Sequence, residues 1–135
     1  MALIDSNVLL DVLTGDPVWE DWSVQALANA QTAGALVIND IVYAELATRF
    51  EAVEALDGFV ADAGLQMSPM PRAALFMASK VHALHRRAGG VRIGVLPDFF
   101  IGAHAAVLGL PIVTRDSGRY RTYFPTVELI TPKMN

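Results

Sequence analysis

The 135-residue chain contains no cysteine. That excludes a disulfide framework and any thiolate metal site, and it agrees with a reducing compartment. A basic n-region is missing too: the opening MALIDSNVLLDVL is apolar but carries two aspartates, unlike a secretory signal. No apolar run reaches membrane-spanning length, so the expectation is a cytoplasmic protein with no membrane partner. Charged residues make up 18% against 53% hydrophobic, and Pro and Gly stay at ordinary levels, which excludes disordered and fibrous classes. At this length, residues 1–135 are expected to form one domain with a single core.

Positive charge is also scarce overall. A net charge of −4 by itself argues against a polyanionic partner, because neutralising phosphates needs a basic surface. The distribution says otherwise. From Arg72 to Arg121 there are eight basic residues (Arg72, Lys80, Arg86, Arg87, Arg92, Arg115, Arg119, Arg121) and two acids, Asp98 and Asp116, giving that stretch +6 and the remainder −10. This reads either as a polyanion-facing side or as scattered solvated arginines. Both readings leave open why a basic stretch retains those two acids.

Along the chain, short apolar runs alternate with amphipathic segments. Ala2 to Ile4 predicts a strand, followed by a helix with Val8, Leu9, Val12 and Leu13 on one face and Ser6 or Asn7 as cap. Gly15-Asp16-Pro17 ends that helix, and a second runs through Trp19, Trp22, Ala26 and Ala30 to Gly34. Ala35 to Ile38 predicts a buried strand, with Asn39 or Asp40 capping the helix that carries Tyr43, Glu45 and Leu46. Further helices are expected at 51–63, 72–88 and from Pro97-Asp98 to Leu108, a short helix or turn at 117–123, and strands at 65–67, 112–114 and 127–130. The pattern predicts a three-layer α/β/α fold around a mainly parallel sheet of about five short strands, with ligands bound beyond the carboxyl ends of the strands.

That rule turns positions into a site. Asp5 ends the first strand, Asp116 follows the strand at 112–114, and Glu45 and Asp98 lie in or near the first turns of helices starting at the same edge. Singly, each acid has an ordinary role: Asp5 and Asp98 as helix caps, Asp116 in a turn with Ser117-Gly118, Glu45 paired with Arg49. Together they repel. At about 4 Å and an effective dielectric near 20, each like-charged pair costs roughly 4 kcal/mol, which a hard divalent cation removes. All-oxygen ligation favours Mg²⁺, with Mn²⁺ as an alternative, and such an ion can activate water against a phosphodiester.

The stretches ALIDSNVLLDVL, NDIVYAELATRF and LPDFFIGAHAAVLGLPIVTRD resemble, in order and spacing, the three acidic motifs of PIN-domain ribonucleases, especially the VapC-like toxins of bacterial toxin-antitoxin pairs. The final TRDSGRYRTYFPTVELITP is similar to that family's C-terminal end. The resemblance implies Asp5 and Asp98 as the main metal ligands and Glu45 and Asp116 as the other acids. Ser6 (where many relatives have Thr), Asn7 and Thr114 become supporting polar groups, and Arg115 a phosphate contact. It further implies an RNA substrate, a homodimer and a small cognate antitoxin that blocks the site.

Arg86, Arg87 and Arg92 are candidates for a basic rim guiding RNA phosphates inward. Trp19, Trp22 and the Phe76-Met77 region are candidates for an antitoxin groove or for core. His82 and His85 share a helical face and His104 lies on another helix, so the histidines read as surface or RNA-proximal groups and not as zinc ligands. Tyr120 and Tyr123 are available to stack on bases or to pack the last turn. A phosphatase with an aspartyl nucleophile is disfavoured by Asn7 in place of a second acid, and a phospho-acceptor domain by the lack of lysine between Lys80 and Lys133. DNA cleavage by a related nuclease fold is disfavoured because the chain has no room for extra clamp segments. A catalytically silent RNA- or partner-binding module is the remaining alternative; loss of acids is its signature, and all four are present.

Overall fold

A computed structural model describes residues 1–89 and 96–133. The order of elements is β1 (Ala2–Ile4), α1 (Ser6–Thr14), α2 (Glu20–Ala33), β2 (Leu36–Ile38), α3 (Asp40–Ala47), α4 (Val53–Asp62), β3 (Leu65–Met67), α5 (Arg72–Arg87), α6 (Leu96–Leu108), β4 (Ile112–Val113), α7 (Gly118–Tyr123) and β5 (Leu129–Ile130). The strands form one sheet in the order β3-β2-β1-β4-β5, and every neighbouring pair is parallel. Helices cover it in the expected three-layer α/β/α arrangement.

Three central strands carry consecutive buried residues: Ala2, Leu3 and Ile4 in β1, Leu36, Val37 and Ile38 in β2, Ile112 and Val113 in β4. Alternate side chains of a strand point to opposite faces, so burial of both sets requires helices on both. Apolar residues from the helices, among them Val8, Leu9, Leu46, Leu56, Phe99 and Ile101, complete the core.

The chain runs outward from β1 through β2 to β3, then crosses to β4 and β5 on the other side. β1 and β4 therefore flank the switch point, where this class of sheet opens a crevice at its carboxyl edge. Backbone bonds Leu3 N to Pro111 O and Asp5 N to Val113 O, 2.9 and 3.0 Å, hold the two strands in register up to that edge.

Most predicted boundaries differ from the observed ones by a residue or two. The strands at β4 and β5 are shorter than expected because their neighbours in sequence turn away: Thr114 enters the site and Val127 belongs to the turn before β5. At the first helix, Asp5 and not Ser6 or Asn7 stands at the cap position. Asn39 caps α3 as expected, accepting from Val42 N at 3.0 Å.

One glycine determines how closely the C-terminal segment approaches. A Cβ on Gly102 of α6 would lie 2.3 Å from two ring carbons of Phe124, which follows α7 and is itself buried. Gly102→Ala is expected to lower stability by about 1–2 kcal/mol, overpacking exceeding the roughly 1 kcal/mol that Ala gains over Gly in a helix. Urea denaturation checks this, and unchanged or raised stability would show that Phe124 does not confine the position.

Candidate functional site

Asp5 leaves β1 with extended backbone, φ −71° and ψ 148°, at the N-cap of α1. A short acid there normally turns onto the helix N–H groups, but Asp5 makes no such bond. Its Oδ2 instead accepts from Thr114 Oγ1 and from the Tyr120 hydroxyl, both at 2.9 Å, with Asn7 Nδ2 at a long 3.5 Å. The residue is 4% exposed. Burial pushes its carboxyl up to about 6; the bonds from Thr114 and Tyr120 pull it down, and the charges of Asp98 and Glu45 push it further up.

Glu45 lies in the second turn of α3, and its Oε1 accepts from Ser6 Oγ at 3.0 Å. Its carboxyl is also raised, first by burial, with the Ser6 bond opposing and Asp98 adding to the rise. Asp98 is the third residue of α6, within the first turn and not at a cap, where the helix dipole favours an anion. Its Oδ2 accepts from Arg119 Nη1 of α7, both side chains about one-quarter exposed. Asp5, Glu45 and Asp98 thus share one electrostatic environment. Asp116 stands apart: it is exposed, and its tie to the group is its backbone, whose N–H donates to Thr114 Oγ1 at 3.1 Å and whose carbonyl is within 3.3 Å of the same hydroxyl.

The supporting residues form a connected set. Thr114 Oγ1 accepts from Asn7 Nδ2 at 3.2 Å, and Asn7 Oδ1 accepts from Arg115 N at 3.3 Å. Arg115, expected at phosphate, grips the buried Asp11 of α1 instead, Nε to Oδ2 at 2.8 Å and Nη2 to Oδ1 at 3.0 Å. Ser23 Oγ donates to Asp11 Oδ2 at 2.8 Å, and the Trp19 ring lies 5.6 Å beneath the guanidinium. This clamp fixes the segment after β4 against α1, so Thr114 cannot drift from Asp5.

Arg86 and Arg87 are exposed in the last turn of α5, where their charge also suits the helix dipole; Arg92 lies outside the described residues. His104 is not a surface group: it is fully buried, with Nδ1 3.0 Å from Asn39 Nδ2 and Nε2 3.3 Å from Ser68 Oγ, and burial lowers its pKa. That tie joins α6 to the ends of β2 and β3. His85 meets the Tyr123 hydroxyl at 2.9 Å, and His85, Phe99 and Tyr123 pack as rings. Trp22 packs against the core, whereas Phe76 is exposed with Lys80 Nζ 4.9 Å from its ring centre.

Two residues in contact with the acids had no such role in the sequence reading. Arg119 counted only as one of eight basic residues, and Tyr120 only as a ring for stacking or packing. A six-residue helix places both on the acids, a relation that linear spacing does not encode.

The donor set is all carboxylate and hydroxyl oxygen, with no thiolate in the chain, and three acids raise one another's energy. That suits a hard divalent cation. Among the described residues no three acidic or histidine side chains stand so that one ion touches all of them. Mg²⁺ asks for less, one or two direct carboxylates with water filling the rest.

A family model described as PIN domain matches residues 2–125. Solved structures share the fold across nearly the whole chain. VapBC2 from Rickettsia felis, bound to a DNA fragment from its promoter, is 17% identical with a TM-score of 0.73, covering 98% of each chain. VapBC-1 from nontypeable Haemophilus influenzae is 15% identical at 0.70, covering 96% of each, and DNA-bound VapBC from Salmonella typhimurium is 21% identical at 0.68, covering 97% of this chain and 98% of that one. No curated protein sequence matches.

The raised Asp5 carboxyl has a consequence for stability. Its folded-state value, about 6, exceeds the ordinary 3.8, so the folded protein binds the proton more tightly and loses stability as pH rises from about 4 through 6. Asp5→Asn removes that loss. The variant is expected to match wild type near pH 4 and to exceed it at pH 7.5 without metal by up to about 3 kcal/mol, read by chemical denaturation. A wild type that gains on the variant with rising pH would contradict the assignment.

Proposed function

The chain belongs to the PIN-domain family, and from that premise we propose that it is a divalent-metal-dependent endoribonuclease, the toxin of a cytoplasmic toxin-antitoxin pair. The observation that carries this reading is the shared environment of Asp5, Glu45 and Asp98 at the carboxyl edge of the sheet. Asp5 and Asp98 would hold Mg²⁺ or Mn²⁺ directly, with Glu45 and Asp116 completing the acidic surround. When bound, the ion supplies an activated water and charge relief at the scissile phosphate.

The chain's own groups do the rest. Thr114 and Asn7 keep Asp5 oriented, and Ser6 holds Glu45 by Oε1, leaving Oε2 to take a proton from the attacking water. The raised Glu45 carboxyl suits that role, since a base works best with a pKa nearer the working pH. The exposed Arg86 and Arg87 supply positive charge for the RNA backbone, while Arg119 offsets the charge of Asp98. Arg92 belongs to this rim from the sequence; Arg115 serves chiefly as the clamp on Asp11 and meets phosphate only through its exposed edge.

The VapBC structures share the fold over nearly all of each chain, as does a structure described as a toxin-antitoxin complex from Klebsiella pneumoniae. This supports a small cognate antitoxin as partner, with a homodimeric toxin as in the family resemblance. No helix among the described residues is long and apolar enough to cross a membrane.

The test is cleavage of total small RNA by folded, antitoxin-free protein. Discrete products are expected with Mg²⁺, none with chelator, and Asp98→Ala is expected to cut at least ~100-fold more slowly with its melting temperature not lowered. Cleavage in chelator or undiminished activity of the variant would contradict the metal site. No cleavage by the wild type would favour the silent binding module.

A further inference from the structure

We propose that Tyr120 is a positioning residue of this site: its phenolic O–H holds Asp5 by Oδ2, so that Oδ1 is the oxygen presented to the cation. The inference rests on the metal-site reading above and adds a residue that the acidic motifs do not contain.

Tyr120 is 2% exposed, and a buried phenol needs a polar partner. Its hydroxyl donates to Asp5 Oδ2 at 2.9 Å. The second donor to that oxygen is Thr114 Oγ1, also at 2.9 Å. Thr114 Oγ1 also accepts from Asn7 Nδ2 and Asp116 N, at 3.2 and 3.1 Å, and its one proton has two acceptors in reach, of which Asp5 Oδ2 at 2.9 Å is nearer than the Asp116 carbonyl at 3.3 Å and carries the charge. Two O–H donors, one following β4 and one in α7, thus converge on one carboxylate oxygen. They fill its two lone-pair directions and stop the carboxylate from rotating. A cation approaching Asp5 meets Oδ1, already in place.

An ordinary core tyrosine would look similar in its packing but would affect stability alone. Tyr120→Phe keeps the ring and removes the donor. Titrating Mn²⁺ by calorimetry without RNA, at pH 8 so that Asp5 is ionised throughout, is expected to show about tenfold weaker binding than wild type, in the range for loss of a group that orients a metal ligand. The Mg²⁺ concentration giving half-maximal RNA cleavage is expected to rise by the same factor, with the rate recovering at saturating Mg²⁺. Tyr123→Phe, which removes a phenol bonded to His85, is expected to leave Mn²⁺ affinity unchanged.

A second readout does not need the Tyr120 variant to fold. The chain has three tyrosines, so 3-fluorotyrosine incorporated into a Tyr43→Phe, Tyr123→Phe background gives one ¹⁹F resonance, that of Tyr120, and Mg²⁺ is expected to shift it. Equal Mn²⁺ affinity in wild type and Tyr120→Phe, or metal binding with no change in that resonance, would overturn the role of Tyr120 while leaving the metal site standing. No Mn²⁺ binding by the wild type would overturn both.

Discussion

A carboxylate buried at the carboxyl end of the central strand is the constraint around which this protein is built. Removing an ionised carboxylate from water costs several kcal/mol unless donors replace the lost hydration. Asp5 is given Thr114 and Tyr120 as close donors, yet burial still dominates and its carboxyl stays high. The folded chain therefore holds an acid whose ionised form is under-compensated, beside two more acids. In the function proposed above a cation would relieve that imbalance, so the feature that weakens the metal-free protein would be the one that gives the site its affinity.

The segment 114–120 carries much of the arrangement. Thr114 donates to Asp5, Arg115 clamps Asp11, Arg119 pairs with Asp98 and Tyr120 returns to Asp5. Four side chains from one turn and one short helix thus tie α1, β1 and α6 together at the switch point. The buried Asp11 pair with Arg115 bears on position more than on net stability, because such pairs roughly balance desolvation against attraction. This also gives a reason for Asp98 within the basic stretch, where it is the partner of Arg119. Arg115 and Arg119 turn inward to acids, so the surface open to a polyanion is less basic than the count of charges implies, with Arg86 and Arg87 on its outside.

The fold was largely legible because its signals are local and repeated. Continuous apolar triplets such as Leu36 to Ile38 mark strands covered on both faces, and Gly15, Gly64 and Gly109, all with positive φ, mark the ends of helices or the turns after them. The acids at strand and helix ends were legible for the same reason, since topology sends those ends to one edge. What escaped depends on rotation and distance. The inward turn of His104 and the reach of Arg119 and Tyr120 follow from how α6 and α7 pack, which Gly102 and Phe124 govern across 22 positions. Glu45 could be placed on its helix, but whether it met Arg49 or Ser6 depended on which way α3 faces.

Whether Asp5 and Asp98 hold a divalent cation is decided by anomalous diffraction from crystals grown with Mn²⁺. One strong peak is expected within about 2.3 Å of Asp5 Oδ1 and of an Asp98 oxygen, the distance of carboxylate ligation for such ions. A peak at another acidic position, or none in crystals where the site is open to solvent, would show that these two acids do not hold the ion.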